Sequence, residues 1–293
     1  MISLIICSRT PKISETLLSN IKKSIGLRFE LITVDNSDGI YNIFEAYNIG
    51  VQQSKGDILC FMHDDIIFHS KDWGIKILDH FKDINTGAIG IAGSPYLSKE
   101  TGSWWGSELV NEYLAIVNDN KVTIKSKYDN GIESNKKRVV TLDGVFLCIR
   151  KNLFNSISFD NKIFSGFHFY DIDICVQIFM LNYKLYCVYD ILISHHSIGD
   201  MSQRWIENAL LFNKKWKNKL PLLSITLPYT KQINGDLKTI REMADILITN
   251  GESKKKIYYN SIRKIFTISQ AFLYYKTWKY LAYFSFQLIK NII

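Results

Sequence analysis

The chain has 293 residues, of which 47% are hydrophobic, and its formal net charge is +8. This apolar content excludes a disordered chain, and the length suits one large domain or two modest ones. The charge is uneven, because residues 1–213 hold 21 Lys and Arg against 24 Asp and Glu, whereas residues 214–293 hold 15 against 4. The basic character therefore belongs to the C-terminal part, and any acidic partner would be expected to bind there.

The five cysteines form no C-x-x-C pair and lie mostly in apolar runs. This usage is typical of buried, reduced thiols in a cytosolic protein, not of a disulfide framework or a zinc site. The opening MISLIICSRTPK lacks the basic start of a signal peptide, and no unbroken apolar run reaches the roughly 18 residues of a transmembrane helix. We therefore expect a cytoplasmic protein without a membrane span.

Strand-length apolar runs alternate with helical patterns at the start of the chain. The strands are SLIIC, FELITVD, DILCFM and AIGIAG, and the helical segments are KISETLLSNIKKSI, IYNIFEAYNIGVQQS and WGIKILDHFKD. The order βαβαβαβ predicts an α/β fold in which helices cover both faces of a mainly parallel sheet. Such sheets bind ligands at the carboxyl ends of their strands. The polar residues expected there are Ser8, Arg9, Asp35 and the H-D-D of residues 63–65.

The rest of the first 200 residues continues as strands and one helix. Residues 97–137 are rich in turn formers and predict a long loop or hairpin. RVVTLDGVFLCIRK follows as strand, FSGFHFYDIDICVQIFMLNY leads into a helix, and KLYCVYDILISHHSIGD predicts a strand pair or one long strand. Neither a G-x-G-x-x-G fingerprint nor a P-loop is present, so phosphates must be neutralised in another way.

Asp64 and Asp65 stand at the end of an apolar strand, where two carboxylates need a cation to offset their desolvation. A hard divalent ion such as Mn²⁺ or Mg²⁺ suits them, since it keeps part of its coordination shell for phosphates. A solvated acidic turn that caps the next segment is the alternative. His195 and His196 would point to opposite faces of a continued strand, so at most one is expected to reach a given metal.

Three further aspartates are candidates with simpler alternatives. Asp171 could act as a general base, because it is fixed at a helix start among aromatic rings, or it could only cap the helix. Asp35 could accept hydrogen bonds from a nucleobase or ribose, or form an Asx-turn. A tight turn before glycine explains Asp143.

Four motifs in order resemble the bacterial, family-two-like glycosyltransferases of the GT-A fold. They are HDDI at 63–66, DGVF at 143–146, FHFYDID at 167–173 and HHSIG at 195–199, and the likeness spans about residues 1–200. The resemblance implies an enzyme that moves a sugar from a nucleoside-diphosphate donor, expected to be a UDP-sugar, to a hydroxyl of a glycan or lipid-linked glycan. It also implies inversion at the anomeric carbon and dependence on Mn²⁺ or Mg²⁺.

On the donor side, the resemblance assigns Asp65 to the metal and Asp64 to the ribose or a second coordination position. Asp35 corresponds to the residue that contacts the base, and Ser8 and Arg9 are expected beside the donor. His63 stands where many relatives carry Asp, so its role stays open.

His195 corresponds to a further metal ligand, with His196 as the competing choice. Asp171 aligns with the catalytic base, and Tyr170 takes the position usually held by glutamate.

The acceptor side carries weaker expectations. Trp104 and Trp105 in GSWWGSE offer flat rings for stacking on a sugar, or they only attach the loop to the core. Asp143 and Tyr170 are further candidates for contact with the acceptor.

Residues 214–293 form a second predicted region beside a catalytic domain at 1–213. Lys and Arg interleaved with aromatic residues favour the surface of an anionic membrane, and we expect a helical extension on the inner face of the cell membrane. A helical subdomain packed on the core is the alternative. Nucleic acid is not expected, because no recognised motif is present and the first 213 residues are slightly acidic. Rival functions are a nucleotidyltransferase and a non-catalytic protein that binds nucleotide-sugars or membranes.

Overall fold

The computed structural model describes residues 1–118, 121–127, 135–195, 201–268 and 274–291. The chain forms two compact units, one of Met1–Pro95 with Val110–Gly199 and one of Tyr96–Leu109 with Asp200–Ile293. The predicted end of the catalytic domain at residue 213 stays a prediction.

The strands and helices are numbered here along the chain. They are β1 (Ile2–Ser8), α1 (Glu15–Ser24), β2 (Phe29–Asp35), α2 (Ile43–Gln53), β3 (Ile58–Met62), β4 (Ile66–Phe68), α3 (Trp73–His80), β5 (Thr86–Gly90), β6 (Ala92–Ser94), β7 (Tyr96–Leu97), β8 (Asn111–Asn118), β9 (Lys121–Lys127), β10 (Lys136–Val139), β11 (Thr141–Leu142), β12 (Phe146–Arg150), α4 (Tyr170–Met180), β13 (Lys184–Val188), β14 (Ile193–His195), α5 (Gln203–Trp216), β15 (Leu222–Leu223), α6 (Tyr229–Thr249), α7 (Lys254–Thr267) and α8 (Tyr275–Lys290).

The first two helices are capped at their N-termini by side chains that accept hydrogen bonds from otherwise unpaired backbone N–H groups. Ser14 Oγ accepts a hydrogen bond from the N–H of Leu17 at 3.2 Å. Asn42 and Glu45 form a reciprocal capping box at the start of α2. Such caps fix where the chain leaves a strand and enters a helix.

The main sheet of the first unit has the strand order β10-β13-β5-β12-β3-β1-β2. The pairs β1–β2, β1–β3 and β13–β5 are parallel. Strand β12 runs antiparallel between β3 and β5. The described residues between β6 and β12 hold the strands β7 to β11 and no helical crossover, so a parallel course is not imposed on β12. The predicted α/β class is confirmed, with this antiparallel insertion as a difference in detail.

Helices cover both faces of this sheet, as predicted. Leu4 of β1 lies in the buried cluster that includes Leu17 of α1 and Trp73 of α3. The next residue, Ile5, faces α2, where Gly50 lacks the Cβ that would overlap the Ile5 side chain. Neighbouring strand residues point to opposite faces, so both sides of β1 are buried.

Strand register brings the ends of several strands to one edge. Ser8 at the end of β1 pairs with Asp35 at the end of β2. Parallel β3 lies on the other side of β1, with Phe61 opposite Ile5. A second sheet has the order β11-β6-β8-β14-β4, with β9 on β8, and its β14 pairs antiparallel with β4.

The second unit is mainly helical. Helices α6, α7 and α8 share a core that includes Leu237, Ile265 and Phe284. The segment 96–109 attaches to α6, because the hydroxyls of Tyr96 and Ser98 donate to Asp236 Oδ1 at 2.7 and 2.6 Å. The predicted C-terminal helices are thus confirmed. Among the helices of the described residues, none combines the length and apolar character needed to cross a bilayer.

Candidate active site

Three potential metal ligands converge where β3 turns into β4. His63 directly follows β3, and its backbone N–H donates to the carbonyl of Val145 at 3.2 Å. Asp65 directly precedes β4, whose residue Ile66 pairs with His195 of β14. His63 Nδ1 is 3.1 Å from His195 Nε2, which is 3.3 Å from Asp65 Oδ1. One ligand atom from each of the three residues lies within 4.8 Å of the others.

This donor set fits a divalent cation, since two imidazole nitrogens and a carboxylate oxygen can meet at one ion. Burial lowers the pKa of His63, and the nearby charge of His195 lowers it further. The neutral imidazole so favoured is the form that binds metals. The structure brings Asp65 and His195 together as the sequence led us to expect, and it adds His63. His196 lies outside the described residues.

Arg9 supplies the cation that faces the two aspartates. Its Nη2 lies 2.5 Å from Asp64 Oδ1 and 3.5 Å from Asp65 Oδ2. Its backbone N–H also donates to Asp64 Oδ2 at 3.1 Å. The guanidinium side chain remains 67% exposed. Asp64 is therefore held by Arg9 and stands outside the group of three metal-binding candidates.

Ser8 and Asp35 lie beside each other at the same sheet edge. Ser8 is buried, and the backbone N–H of Thr10 donates to its Oγ at 3.3 Å. Asp35 is exposed, and its Oδ1 accepts hydrogen bonds from the backbone N–H and the hydroxyl of Ser37 at 3.0 and 2.8 Å. These bonds lower the pKa of Asp35. The Asx-turn considered as an alternative is thus present at this position.

Asp171 lies in the first turn of α4 and is held by two backbone donors. The N–H of Gly144 donates to its Oδ2 and the N–H of Ile172 to its Oδ1, both at 2.9 Å. Burial raises the pKa of Asp171 to about 7, the charge of Asp143 contributes in the same direction, and the two hydrogen bonds oppose the rise. A carboxyl with this pKa can take up and release a proton near neutral pH.

Tyr170 connects the start of α4 with the three metal-binding candidates. Its hydroxyl oxygen lies 3.0 Å from His63 Nε2. A Cβ at Gly144 would overlap the Tyr170 ring, so only glycine permits this approach. Asp143 shapes the same turn, because its Oδ1 accepts a hydrogen bond from the N–H of Val145 at 2.9 Å. The contact between Tyr170 and His63 is one that sequence reasoning missed.

The two candidate stacking residues, Trp104 and Trp105, belong to the second unit. Trp104 is buried, whereas Trp105 is 37% exposed. Their rings meet edge to face, with centroids 5.4 Å apart. Of the pair, Trp105 is the one that can offer a ring to a ligand.

Residues 3–214 match the model of a protein family described as "Glycosyltransferase like family". The chain belongs to that family. This assignment makes the molecule a glycosyltransferase, and the converging side chains of the first unit lie within the matched residues.

Solved structures are similar to this chain at low sequence identity. TarS 1–349 from S. aureus, in complex with UDP-GlcNAc, is 13% identical with a TM-score of 0.50, and the match covers 99% of this glycosyltransferase and 88% of that chain. A second TarS structure from S. aureus is 12% identical with a TM-score of 0.50, with 99% and 53% covered. Mannosyltransferase PcManGT from Pyrobaculum calidifontis, in complex with GDP-Man and Mn²⁺, is 10% identical with a TM-score of 0.45, with 99% and 86% covered. No curated protein matches this sequence significantly. The two TarS structures therefore support the GT-A fold.

Proposed function

We propose that this glycosyltransferase moves a sugar, with inversion, from a UDP-sugar to a hydroxyl of a glycan or lipid-linked glycan. One observation carries the proposal. The three metal-binding candidates and the Asp171 carboxyl, with its pKa of about 7, are joined through Tyr170, whose hydroxyl is 3.0 Å from His63 Nε2, and through Gly144, whose N–H donates to Asp171. A cation site and a neutral-pH base in one site suit a metal-dependent transfer from a nucleotide-sugar with inversion.

His63, Asp65 and His195 would hold the divalent cation. Mn²⁺ suits this set better than Mg²⁺, because two of the three donors are imidazole nitrogens and Mg²⁺ prefers oxygen ligands. The ion supplies charge that stabilises the departing diphosphate.

Donor binding is assigned to the edge formed by the ends of β1, β2 and β3. Asp35 accepts hydrogen bonds from the base, and Asp64 from the ribose. Ser8 and Arg9 line the same edge, and the exposed Arg9 guanidinium adds positive charge for phosphate oxygens. The UDP-GlcNAc bound by TarS supports a uridine nucleotide as the donor.

Asp171 acts as the single general base. The acceptor hydroxyl must lose its proton as it attacks the anomeric carbon, and one carboxylate suffices for this step. Since attack comes from the face opposite the leaving diphosphate, a single displacement inverts the anomeric centre.

Association with an anionic membrane surface is the second part of the proposal. Four large side chains of α8 share one face at helical spacing and are more than half exposed: Tyr275, Trp278, Phe286 and Ile289. The opposite face, with Leu281 and Phe284, is buried in the second unit's core. Residues 253–291 hold eight Lys and Arg and no Asp or Glu. Exposed aromatic side chains among Lys residues favour a lipid interface.

A donor screen tests the proposal. We expect UDP-sugars to raise the melting temperature and to be hydrolysed slowly only when Mn²⁺ is present. His195→Ala removes one metal ligand and Asp65→Asn removes the negative charge of another, so both variants should lose the response to Mn²⁺ and UDP together. The measurement is thermal shift and release of UDP across nucleotide-sugars, with and without Mn²⁺.

His69→Ala is the matched control, because His69 lies beside the same strand pair, its Nε2 is 2.9 Å from Ser194 Oγ, and it does not belong to the group of three metal-binding candidates. Full Mn²⁺-dependent UDP binding in His195→Ala would contradict the metal assignment. Donor binding without any turnover in the wild type would support the rival reading of a non-catalytic nucleotide-sugar-binding protein.

A further inference from the structure

The second unit contains a cavity of about 540 Å³ that the metal and base chemistry of the first unit does not use. Its lining comes from segment 105–108, from α6 and α8, and from Met201 and Asn250, all of which belong to the second unit. This volume lies in the range of pockets that bind small molecules.

The charges of the lining indicate which ligand the cavity accepts. Two cations, Lys238 and Arg241, face three carboxylates, those of Glu108, Glu242 and Asp245. Lys238 pairs with Glu108, and Arg241 Nε is 3.8 Å from Asp245 Oδ2. The excess of carboxylates disfavours a diphosphate or an anionic lipid headgroup. It suits an uncharged ligand with many hydroxyl groups, which can donate to carboxylates and accept from a guanidinium.

Trp105 contributes an aromatic ring to the lining of this cavity. The loop that carries it is hydrogen-bonded to α6. Glu242 accepts hydrogen bonds from the backbone N–H and the hydroxyl of Ser103 at 3.1 and 2.5 Å. A Cβ at Gly106 would overlap the Glu242 carboxyl, so glycine permits the close approach. The loop that carries the indole is therefore held before a ligand arrives, which lowers the entropy cost of binding.

We propose that this cavity binds a neutral sugar residue of the acceptor glycan, with Trp105 as the stacking platform and Asp245 and Arg241 as partners for hydroxyl groups. That the sugar belongs to an acceptor rests on the proposed function, whereas binding of a neutral saccharide follows from the cavity itself. The apolar C–H face of a pyranose matches the face of an indole, and the polar lining meets the ring hydroxyls.

Saturation-transfer NMR with methyl glycosides of glucose, galactose, mannose and N-acetylglucosamine tests the inference without donor or metal. We expect at least one glycoside to receive saturation from the wild type, and Trp105→Ala to weaken its binding by about tenfold or more. Trp105→Phe keeps a ring and should retain part of the affinity. Tyr259→Ala is the control, since Tyr259 is an exposed aromatic residue of the second unit that does not line the cavity.

Absence of binding by all four glycosides, or equal binding by the wild type and Trp105→Ala, would overturn the inference. Mn²⁺-dependent binding of UDP, measured in parallel by thermal shift, separates the two proposals. If UDP binds and no glycoside does, only the saccharide site fails. If the glycosides bind and UDP does not, the saccharide site stands and the transferase mechanism fails.

Discussion

The Asp171 carboxyl is the residue from which a pH dependence of the proposed reaction follows. With a pKa of about 7, the carboxylate that accepts the proton becomes populated as pH rises through neutrality. We expect kcat/KM for the acceptor to rise across this range and to level off above it. Asp171→Asn cannot accept the proton, so we expect kcat to fall by about 10² or more, and the pH profile to lose this inflection.

A substitution at Asp143 tests the pKa of Asp171 without changing Asp171 itself. Its negative charge helps to raise the pKa of Asp171, so Asp143→Asn should move the inflection of the pH profile to lower pH.

For the Asp171→Asn variant, donor affinity is the control. Measured by titration of UDP with Mn²⁺, it should stay near the wild-type value. An unchanged pH profile in that variant would assign the base to another residue.

For individual residues, the sequence identified those at the strand ends but not all of the side chains that they contact. Asp65 and His195 could be predicted because each adjoins an apolar strand-like run, and polar residues collect at strand ends in such sheets. His63 could not be assigned, since its contact with His195 depends on the pairing of β14 with β4 across more than a hundred residues. The contact of Tyr170 with His63 required the position of α4 relative to the Asp143–Val145 turn.

The turn before β12 joins Asp171, the proposed base, to the metal-binding candidates, and Gly144 is the critical position of this turn. In Gly144→Ala the added Cβ would overlap the Tyr170 ring. Overpacking of this kind costs about 1–3 kcal/mol in free energy of unfolding. We expect a melting temperature several degrees lower and weaker binding of Mn²⁺, because Tyr170 must move away from His63. Thermal unfolding and Mn²⁺ titration measure the two effects.

Tyr170→Phe separates the effect on Mn²⁺ binding from the effect on stability, since it removes the hydroxyl that contacts His63 without adding volume. The double variant Gly144→Ala/Tyr170→Phe should regain part of the lost stability, because the overlap with the hydroxyl oxygen is gone. A Gly144→Ala protein with wild-type stability and wild-type Mn²⁺ affinity would show that the turn does not position Tyr170.

Elements defined by local pattern could be predicted, whereas their long-range pairing could not. The segment FELITVD corresponds to β2, and the helical pattern around residues 40–54 contains α2. The antiparallel course of β12, and the membership of β8, β14 and β4 in one further sheet, depend on contacts between distant segments. Periodicity reports which face of a segment is buried and not which strand lies beside it.

For the molecule as a whole, composition located the basic and aromatic region, but the structure was needed to separate its faces. From the sequence, Lys276 and Lys279 appear among apolar positions of α8. In the structure Leu281 and Phe284 are buried in the core, whereas Trp278 and Phe286 are exposed on the opposite side. Apolar residues thus occur on two faces of this helix for two reasons, and burial is what distinguishes them.

The exposed face of α8 gives the last prediction. We expect the protein to sediment with vesicles that contain anionic phosphatidylglycerol and much less with neutral phosphatidylcholine vesicles, because Lys side chains flank the aromatic residues. Trp278→Ser/Phe286→Ser should weaken binding by about tenfold or more, since two large rings no longer enter the interface. High salt should weaken wild-type binding by screening the charges.

Leu210→Ser is the control for the membrane prediction, because Leu210 is a similarly exposed apolar residue of α5, outside the α8 face. Equal binding to neutral and anionic vesicles, or an equal loss in Leu210→Ser, would show that α8 is not the membrane-binding face.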